Sequence, residues 1–173
     1  IEASNQKKIT QKISKKLSDI SKVPSTNSEQ KLSVFILGRY KHDSDLVPEK
    51  TPSNLNVQFK TIHGSKGLEA DYVILPNLTT GKYGFPSEID DDPILETVMT
   101  TPDSFEHAEE RRLMYVALTR ARKEVTLIAK RETVSPFVVE MMTVRCAPAC
   151  PSLSVRCAIT SAICSSSTRS GWC

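Results

Sequence analysis

The sequence predicts an α/β domain built on a mostly parallel sheet with helices on its faces. Residues 33–38 and 71–75 are short, almost continuous apolar runs, which are typical of strands that a parallel sheet buries on both sides. Helical patterns alternate with the strands along the chain, as expected of an α/β fold. The chain has 173 residues, 39% hydrophobic and 25% charged, a composition that excludes disorder throughout.

The first elements can be placed in order from hydrophobic spacing. An amphipathic helix is predicted over residues 5–22, because apolar residues recur there at spacings of 4, 4 and 3: Ile9, Ile13, Leu17 and Ile20. The predicted strands are residues 33–38, 57–62, 71–75 and 125–129. Residues 43–54 contain two prolines and are predicted to form a loop with at most a short helix.

Two further helices are predicted in the second half of the chain. Asp103 or Ser104 can cap a long helix with an inward side made of Phe105, Ala108, Leu113, Val116 and Ala117. Ser135 followed by Pro136 is a helix-start signal, because a serine cap with proline in the first turn suits a helix N-terminus.

The chain divides into three parts by composition. Residues 1–30 are predicted as an N-terminal helix and linker, residues 31–140 as the α/β domain, and residues 141–173 as an irregular tail. The tail holds all five cysteines and no Lys, Asp or Glu. Its cysteine spacing lacks the Cys-x2-Cys pairs of ordinary zinc sites, so we predict no metal site and a terminus without function; zinc binding is the alternative. The chain does not begin with Met, which predicts a piece of a longer protein.

Charge and hydropathy exclude some classes of protein. The net charge of +3 is too small to indicate nucleic-acid binding by itself, and the excess is local, since residues 1–31 hold seven Lys against three acidic residues. No apolar run approaches the roughly 18–20 residues that cross a bilayer. The first 145 residues contain no Cys, which fits a reducing compartment. We therefore expect a cytoplasmic protein without membrane contact.

A glycine-containing turn at residues 61–69 separates two predicted strands. Backbone N–H groups of such a turn at the end of a strand can approach phosphates, and Lys66 adds a positive charge. Taken alone, the pattern is more often only a turn. It is not a P-loop, because G-x-x-x-x-G-K-[ST] occurs nowhere in the chain.

Two arginines stand at element ends. Arg120 follows the predicted long helix and can stabilise negative charge on a phosphoryl group, although on the pattern alone a favourable contact with the helix dipole is the leading explanation. Arg39 directly follows the strand at 33–38 and can reach a ligand or be a surface charge. Glu110 and Arg111 are predicted to lie on a solvated helix surface.

Three stretches, in this order and spacing, resemble the C-terminal motifs of UvrD/Rep-type superfamily 1 DNA helicases, and within that family the bacterial helicase IV group. Residues 34–40 resemble motif IV, residues 61–74 motif V and residues 109–121 motif VI. The resemblance covers about residues 31–140. It implies a RecA-like, P-loop NTPase-like motor domain without its own Walker A loop, the second of two in an ATP-dependent DNA helicase.

The resemblance also implies roles for single residues. Arg39 and Arg120 match arginines directed at the γ-phosphate of ATP, with Arg120 as the arginine finger, and Glu69 and Gly67 match the residues that meet the ribose. The positions matching those that couple the nucleotide to single-stranded DNA are Thr61, His63 and Lys66, and those packing around the site are Tyr115 and Thr119.

ATP with Mg2+ is then held mainly by the first RecA-like motor domain of the same parent chain. The expected partners are that domain and single-stranded DNA, and the fragment alone is expected to hydrolyse no ATP. The alternative is a non-catalytic interaction module that docks on a partner such as RNA polymerase.

Overall fold

A computed structural model of the chain describes residues 2–24, 31–87, 107–130, 132–144 and 155–157. Its centre is a five-stranded sheet in which all paired strands are parallel, in the order β2-β1-β3-β4-β5. The strands are β1 (Leu32–Gly38), β2 (Leu55–Thr61), β3 (Ala70–Leu75), β4 (Ala121–Leu127) and β5 (Val155–Cys157). The predicted α/β fold with a parallel sheet is confirmed.

The two apolar runs of the sequence are the central strands β1 and β3, and both of their faces are covered. In β1, Val34 and Ile36 belong to one hydrophobic cluster, whereas Phe35 and Leu37 belong to a second cluster on the other face. All four are at most 7% exposed. Because successive side chains of a strand point to opposite faces, a strand buried on both sides has no polar alternation.

One face of the sheet is covered by the N-terminal helix α1 (Glu2–Ser21). The predicted apolar stripe is fully buried in the cluster that contains Val34 and Ile36: Ile9, Ile13, Leu17 and Ile20. Lys16 Nζ lies 2.6 Å from Glu124 Oε1 of β4, which adds an ion pair between helix and sheet. The helix therefore packs into the same core as residues 31–140, although composition alone placed it in a separate segment.

The opposite face carries α2 (Ala108–Leu118) and α3 (Pro136–Val144). The side chains that these helices bury against the sheet are Leu113, Met114, Ala117, Phe137 and Val138. The helix start predicted at Ser135-Pro136 is confirmed. The caps predicted at Asp103 and Ser104, and Phe105, lie outside the described residues. The sheet is thus a middle layer between α1 and the α2–α3 pair.

The structure differs most from the prediction in β4 and in the tail. This strand begins at Ala121 rather than 125, because Ala121 pairs with Ala70 and the ladder continues through polar residues that periodicity does not count. The tail predicted to be irregular contains two regular pieces: α3 continues to Val144, and β5 pairs in parallel with β4. For these residues the irregular tail was wrong. The predicted loop at 43–54 begins within a 3-10 helix, Lys41–Leu46.

The carboxylate of Asp71 fastens the beginnings of β1 and β3 together. Its Oδ2 accepts hydrogen bonds from the N–H and hydroxyl of Ser33 at 3.0 and 2.9 Å, and its Oδ1 lies 3.1 Å from Lys123 Nζ. Burial raises the pKa of Asp71, but the hydrogen bonds from Ser33 and the charge of Lys123 outweigh it and hold the pKa below its ordinary value of 3.8.

Asp71→Asn is expected to lower the free energy of unfolding by about 1–2 kcal/mol at pH 7, since hydrogen bonds to a charged group are lost. The carboxylate stabilises the fold above the unfolded-state pKa, and this contribution is lost as the pH falls from about 3.8 through the lower folded-state pKa. Urea unfolding of both proteins between pH 7 and 2.5 should therefore show a difference that shrinks in acid. A difference independent of pH would contradict this account.

Candidate functional site

The predicted site residues lie at two opposite edges of the sheet. Since all strands are parallel, their carboxyl ends form one edge, the carboxyl edge, and their amino ends form the other, the amino edge. Gly38 and Thr61 pair at the ends of β1 and β2, so Arg39 and the turn after Thr61 lie at the carboxyl edge. Ala70 and Ala121 pair at the starts of β3 and β4, so the residues before them, Glu69 and Arg120, lie at the amino edge. The two edges are roughly 20 Å apart at about 3.3 Å per residue.

At the carboxyl edge, a rigid turn presents His63 and Lys66 to solvent. The turn is a 3-10 helix over His63–Ser65. The Gly64 N–H donates to Thr61 Oγ1 at 3.1 Å, and the buried Ser65 hydroxyl donates to the Ile62 carbonyl at 2.6 Å. Ile62 and Ser65 anchor the turn while both basic side chains stay exposed.

Residues 62–69, here called the crossover, connect the two edges, because they lead from the end of β2 to the start of β3. Gly67 sits in a type II turn, in which the Leu68 N–H donates to the Ser65 carbonyl at 3.0 Å. Lys66 has φ −57° and ψ 127°, and Gly67 has φ +80°. This positive φ strains any residue with a Cβ, so glycine is required for the turn that brings Glu69 to the amino edge.

At the amino edge, Arg120 is held by neutral groups. Its Nε donates to the Val116 carbonyl at 3.0 Å, Nη1 to the Leu68 carbonyl at 3.3 Å and Nη2 to Thr119 Oγ1 at 3.1 Å. The Ala70 N–H in turn donates to the Arg120 carbonyl at 2.9 Å. No carboxylate pairs with this guanidinium within the described part of the chain. The crossover and the end of α2 thus orient a positive charge that retains its attraction for an anion.

The other predicted residues of the amino edge are exposed. Glu69 Oε2 lies 2.8 Å from Arg122 Nε, and both side chains are more than half exposed. Thr119 is exposed, and Tyr115 on α2 is 69% exposed. Leu68 is 41% exposed. An apolar side chain and an aromatic ring therefore lie uncovered beside the charged groups.

Arg39 is separated from Arg120 and is bound to Glu110 of α2. Arg39 Nη2 lies 2.6 Å from Glu110 Oε1, and Nε donates to Oε1 and Oε2 at 3.0 and 3.2 Å. Burial lowers the pKa of Arg39, but the hydrogen bonds and negative charge of Glu110 outweigh it and raise the pKa above its ordinary value. The structure therefore brings Glu69, Gly67 and Arg120 together at one edge, and Arg39 with Thr61 and His63 at the other.

The prediction that Glu110 is solvated was wrong, since this residue is only 8% exposed. Its position on α2 contains a signal for burial: it precedes Leu113, Met114 and Ala117 by three, four and seven residues, so it lies on the apolar stripe of the helix. A carboxylate on such a stripe needs a buried cation as partner. Arg39, at the end of the neighbouring strand, is that cation.

Comparison with known proteins identifies the family of the chain. The family model of the UvrD-like helicase C-terminal domain matches residues 2–132. The chain belongs to this family. The UvrD-like domain therefore has a RecA-like α/β fold, and the match includes α1, in line with its packing on the sheet.

Individual relatives of the UvrD-like domain are DNA helicases. The chain is 44% identical over 108 residues to DNA helicase IV of Escherichia coli K12, covering 61% of this chain and 16% of the relative. It is 41% identical over 76 residues to the ATP-dependent DNA helicase Rep of Salmonella typhimurium LT2, covering 44% of this chain and 9% of the relative. The chain thus spans less than a fifth of the length of these curated relatives.

The described residues of the UvrD-like domain contain no group of three or more His, Cys, Asp or Glu side chains placed to hold a metal ion. In the same part of the chain, no helix is long and apolar enough to cross a membrane.

Proposed function

We propose that the chain is the second, C-terminal motor domain of an ATP-dependent DNA helicase, and that it supplies the arginine finger and part of the grip on single-stranded DNA. The observation that carries this proposal is the state of Arg120, whose guanidinium is oriented by neutral acceptors and has no acidic partner among the described residues. Such a group is ready to stabilise charge on a transferring phosphoryl group.

The amino edge is the proposed nucleotide face. Arg120 would approach the γ-phosphate, and Glu69, brought there by the turn at Gly67, would accept hydrogen bonds from the ribose hydroxyls. We expect the first RecA-like motor domain of the parent chain to hold the phosphates and the metal, because the sequence of this chain has no P-loop. The exposed Leu68 and Tyr115 support closure of that domain on this edge, because burying them would stabilise the closed state.

The carboxyl edge is the proposed DNA face, where Thr61, His63 and Lys66 contact the single strand. The crossover joins this turn to Glu69, so closing of the nucleotide face changes the position of the DNA grip. The predicted role of Arg39 as a second arginine at the same γ-phosphate does not fit this geometry, because Arg39 lies at the opposite edge from Arg120 and is already paired with Glu110. The proposed nucleotide face therefore relies on Arg120.

The pure 173-residue chain is expected to show no ATP turnover, because it lacks a P-loop. The full-length parent protein should hydrolyse ATP, and single-stranded DNA should stimulate this activity. Both rates are measured by phosphate release with and without an oligonucleotide. Measurable turnover by the chain alone would overturn the division of labour proposed here. A parent without DNA-stimulated turnover would favour a docking module instead.

A further inference from the structure

We propose that Tyr40, His42 and Tyr83, here called the ring cluster, form a base-stacking platform for single-stranded nucleic acid at the carboxyl edge. This inference rests on the proposed function, because it extends the DNA face. Nothing in the sequence brought these residues together, since Tyr83 is separated from Tyr40 by more than forty positions.

The three rings contact one another directly. Tyr40 and His42 are stacked, with ring centroids 5.3 Å apart and an interplanar angle of 10°. The Tyr83 ring stands edge-on to both, at 6.0 Å from Tyr40 and 6.3 Å from His42. Tyr83 is 60% exposed, and His42 is also exposed. The cluster therefore offers uncovered π surface to a planar ligand.

Hydrogen bonds hold the ring cluster in place. The Tyr40 N–H donates to Oδ2 of the buried Asp43 at 3.0 Å, and the Tyr40 hydroxyl donates to Ser87 Oγ at 3.0 Å. The Tyr83 turn is closed by the Gly84 N–H, which donates to the Gly81 carbonyl at 2.8 Å. A preorganised ring loses little conformational entropy when a base stacks on it.

The surroundings of the ring cluster favour a nucleic acid over a neutral planar ligand. Lys41 and Lys82 are both exposed and adjoin the rings in sequence. Asp45 is the exposed acid on the same 3-10 helix, whereas Asp43 is buried and bonded to Tyr40. Aromatic faces beside basic side chains are the combination that binds single strands, because every base has a π face and every nucleotide a phosphate.

The ring cluster is also continuous with the proposed DNA face. Arg39, Ile62 and Tyr83 line one shallow depression at the carboxyl edge. Ile62 precedes His63 in the turn, and its N–H donates to the Gly38 carbonyl at 3.0 Å. The ring cluster and the turn that carries His63 thus share one edge of the sheet, where a single strand can contact the turn and stack its bases on the rings.

The test compares Tyr83→Ala with Tyr83→Phe in the 173-residue chain. Binding of a fluorescent oligothymidylate is measured by anisotropy at low salt, alongside an abasic oligomer of the same length and charge. Tyr83→Ala should weaken binding of the oligothymidylate about tenfold, within the range for loss of one stacked base. Tyr83→Phe, which keeps the ring, should bind as the native chain does. The abasic oligomer should bind more weakly and be insensitive to both changes.

A third variant, Lys66→Ala, separates the ring-cluster proposal from the proposed DNA face. Loss of a phosphate contact should weaken binding of the oligothymidylate and of the abasic oligomer alike. If Lys66→Ala weakens binding and Tyr83→Ala does not, the ring cluster is not a platform, but the DNA face stands. If the native chain binds neither oligomer, both the DNA face and the platform are overturned. Equal affinity of the native chain for the two oligomers would also refute stacking.

Discussion

Arg120→Ala is expected to lower the single-stranded-DNA-stimulated kcat of the full-length protein by about 10³-fold or more. The charge that develops on the transferring phosphoryl group then loses its cationic partner at the moment of reaction. The side-chain hydrogen bonds that are lost go to neutral carbonyls, and the backbone carbonyl of residue 120 still accepts from the Ala70 N–H, so the fold should survive the change. Steady-state turnover and thermal unfolding of the same preparations measure both effects.

The matched control for this experiment is Arg112→Ala, which removes the same charge from the adjoining helix α2. The Arg112 side chain is 62% exposed, and its ion pair with Glu109 is 3.4 Å long, so turnover should remain near the native rate. Arg120→Lys keeps the charge but loses the planar fork and should restore only part of the activity. A native-like kcat in Arg120→Ala would remove this residue from the catalytic site.

Glu110→Ala is expected to destabilise the fold by about 3 kcal/mol, the largest stability effect that we predict. The substitution leaves Arg39 partly buried without a counter-charge, and it also disconnects the end of β1 from the first turn of α2. Urea unfolding of the 173-residue chain, followed by circular dichroism, measures the loss.

The neighbouring Glu109→Ala is the control for Glu110→Ala. The Glu109 side chain is 64% exposed, and its removal should change stability by no more than about 0.5 kcal/mol. Replacing both members of the buried pair, as Arg39→Met with Glu110→Leu, should recover much of the lost stability, because no unpaired charge remains. If Glu109→Ala and Glu110→Ala lowered the free energy of unfolding by similar amounts, burial of the Arg39–Glu110 ion pair would not contribute to stability.

Hydrophobic periodicity was sufficient to predict the elements whose apolar side chains are fully buried in the core. The strands β1 and β3 and the helix α1 were predicted because their burial is imposed residue by residue, either on two faces or along one stripe. The start of β4 was missed because Arg122 and Lys123 are exposed, and a strand end without a covering layer shows no apolar signal.

The candidate site was predictable in its motifs but not in its layout. Arg39 and Arg120 were expected to act together, whereas strand register places them at opposite edges of the sheet. Glu110 was predicted to be exposed because charged residues usually are. Its burial depends on the ion pair with Arg39, which is distant in sequence and therefore gives no local signal. The ring cluster depends on the turn at Tyr83 meeting the end of β1, a contact that no local pattern indicates.

The crossover is short for the distance it spans, and this limits its slack. Its eight residues could reach about 27 Å if fully extended, but they contain two tight turns and must still run about 20 Å from one edge to the other. Because its turns are fixed by hydrogen bonds, the segment has few ways to absorb a displacement of either end. The length of this segment therefore limits how far its two ends can move relative to each other, and added residues would relax this limit while leaving each end intact.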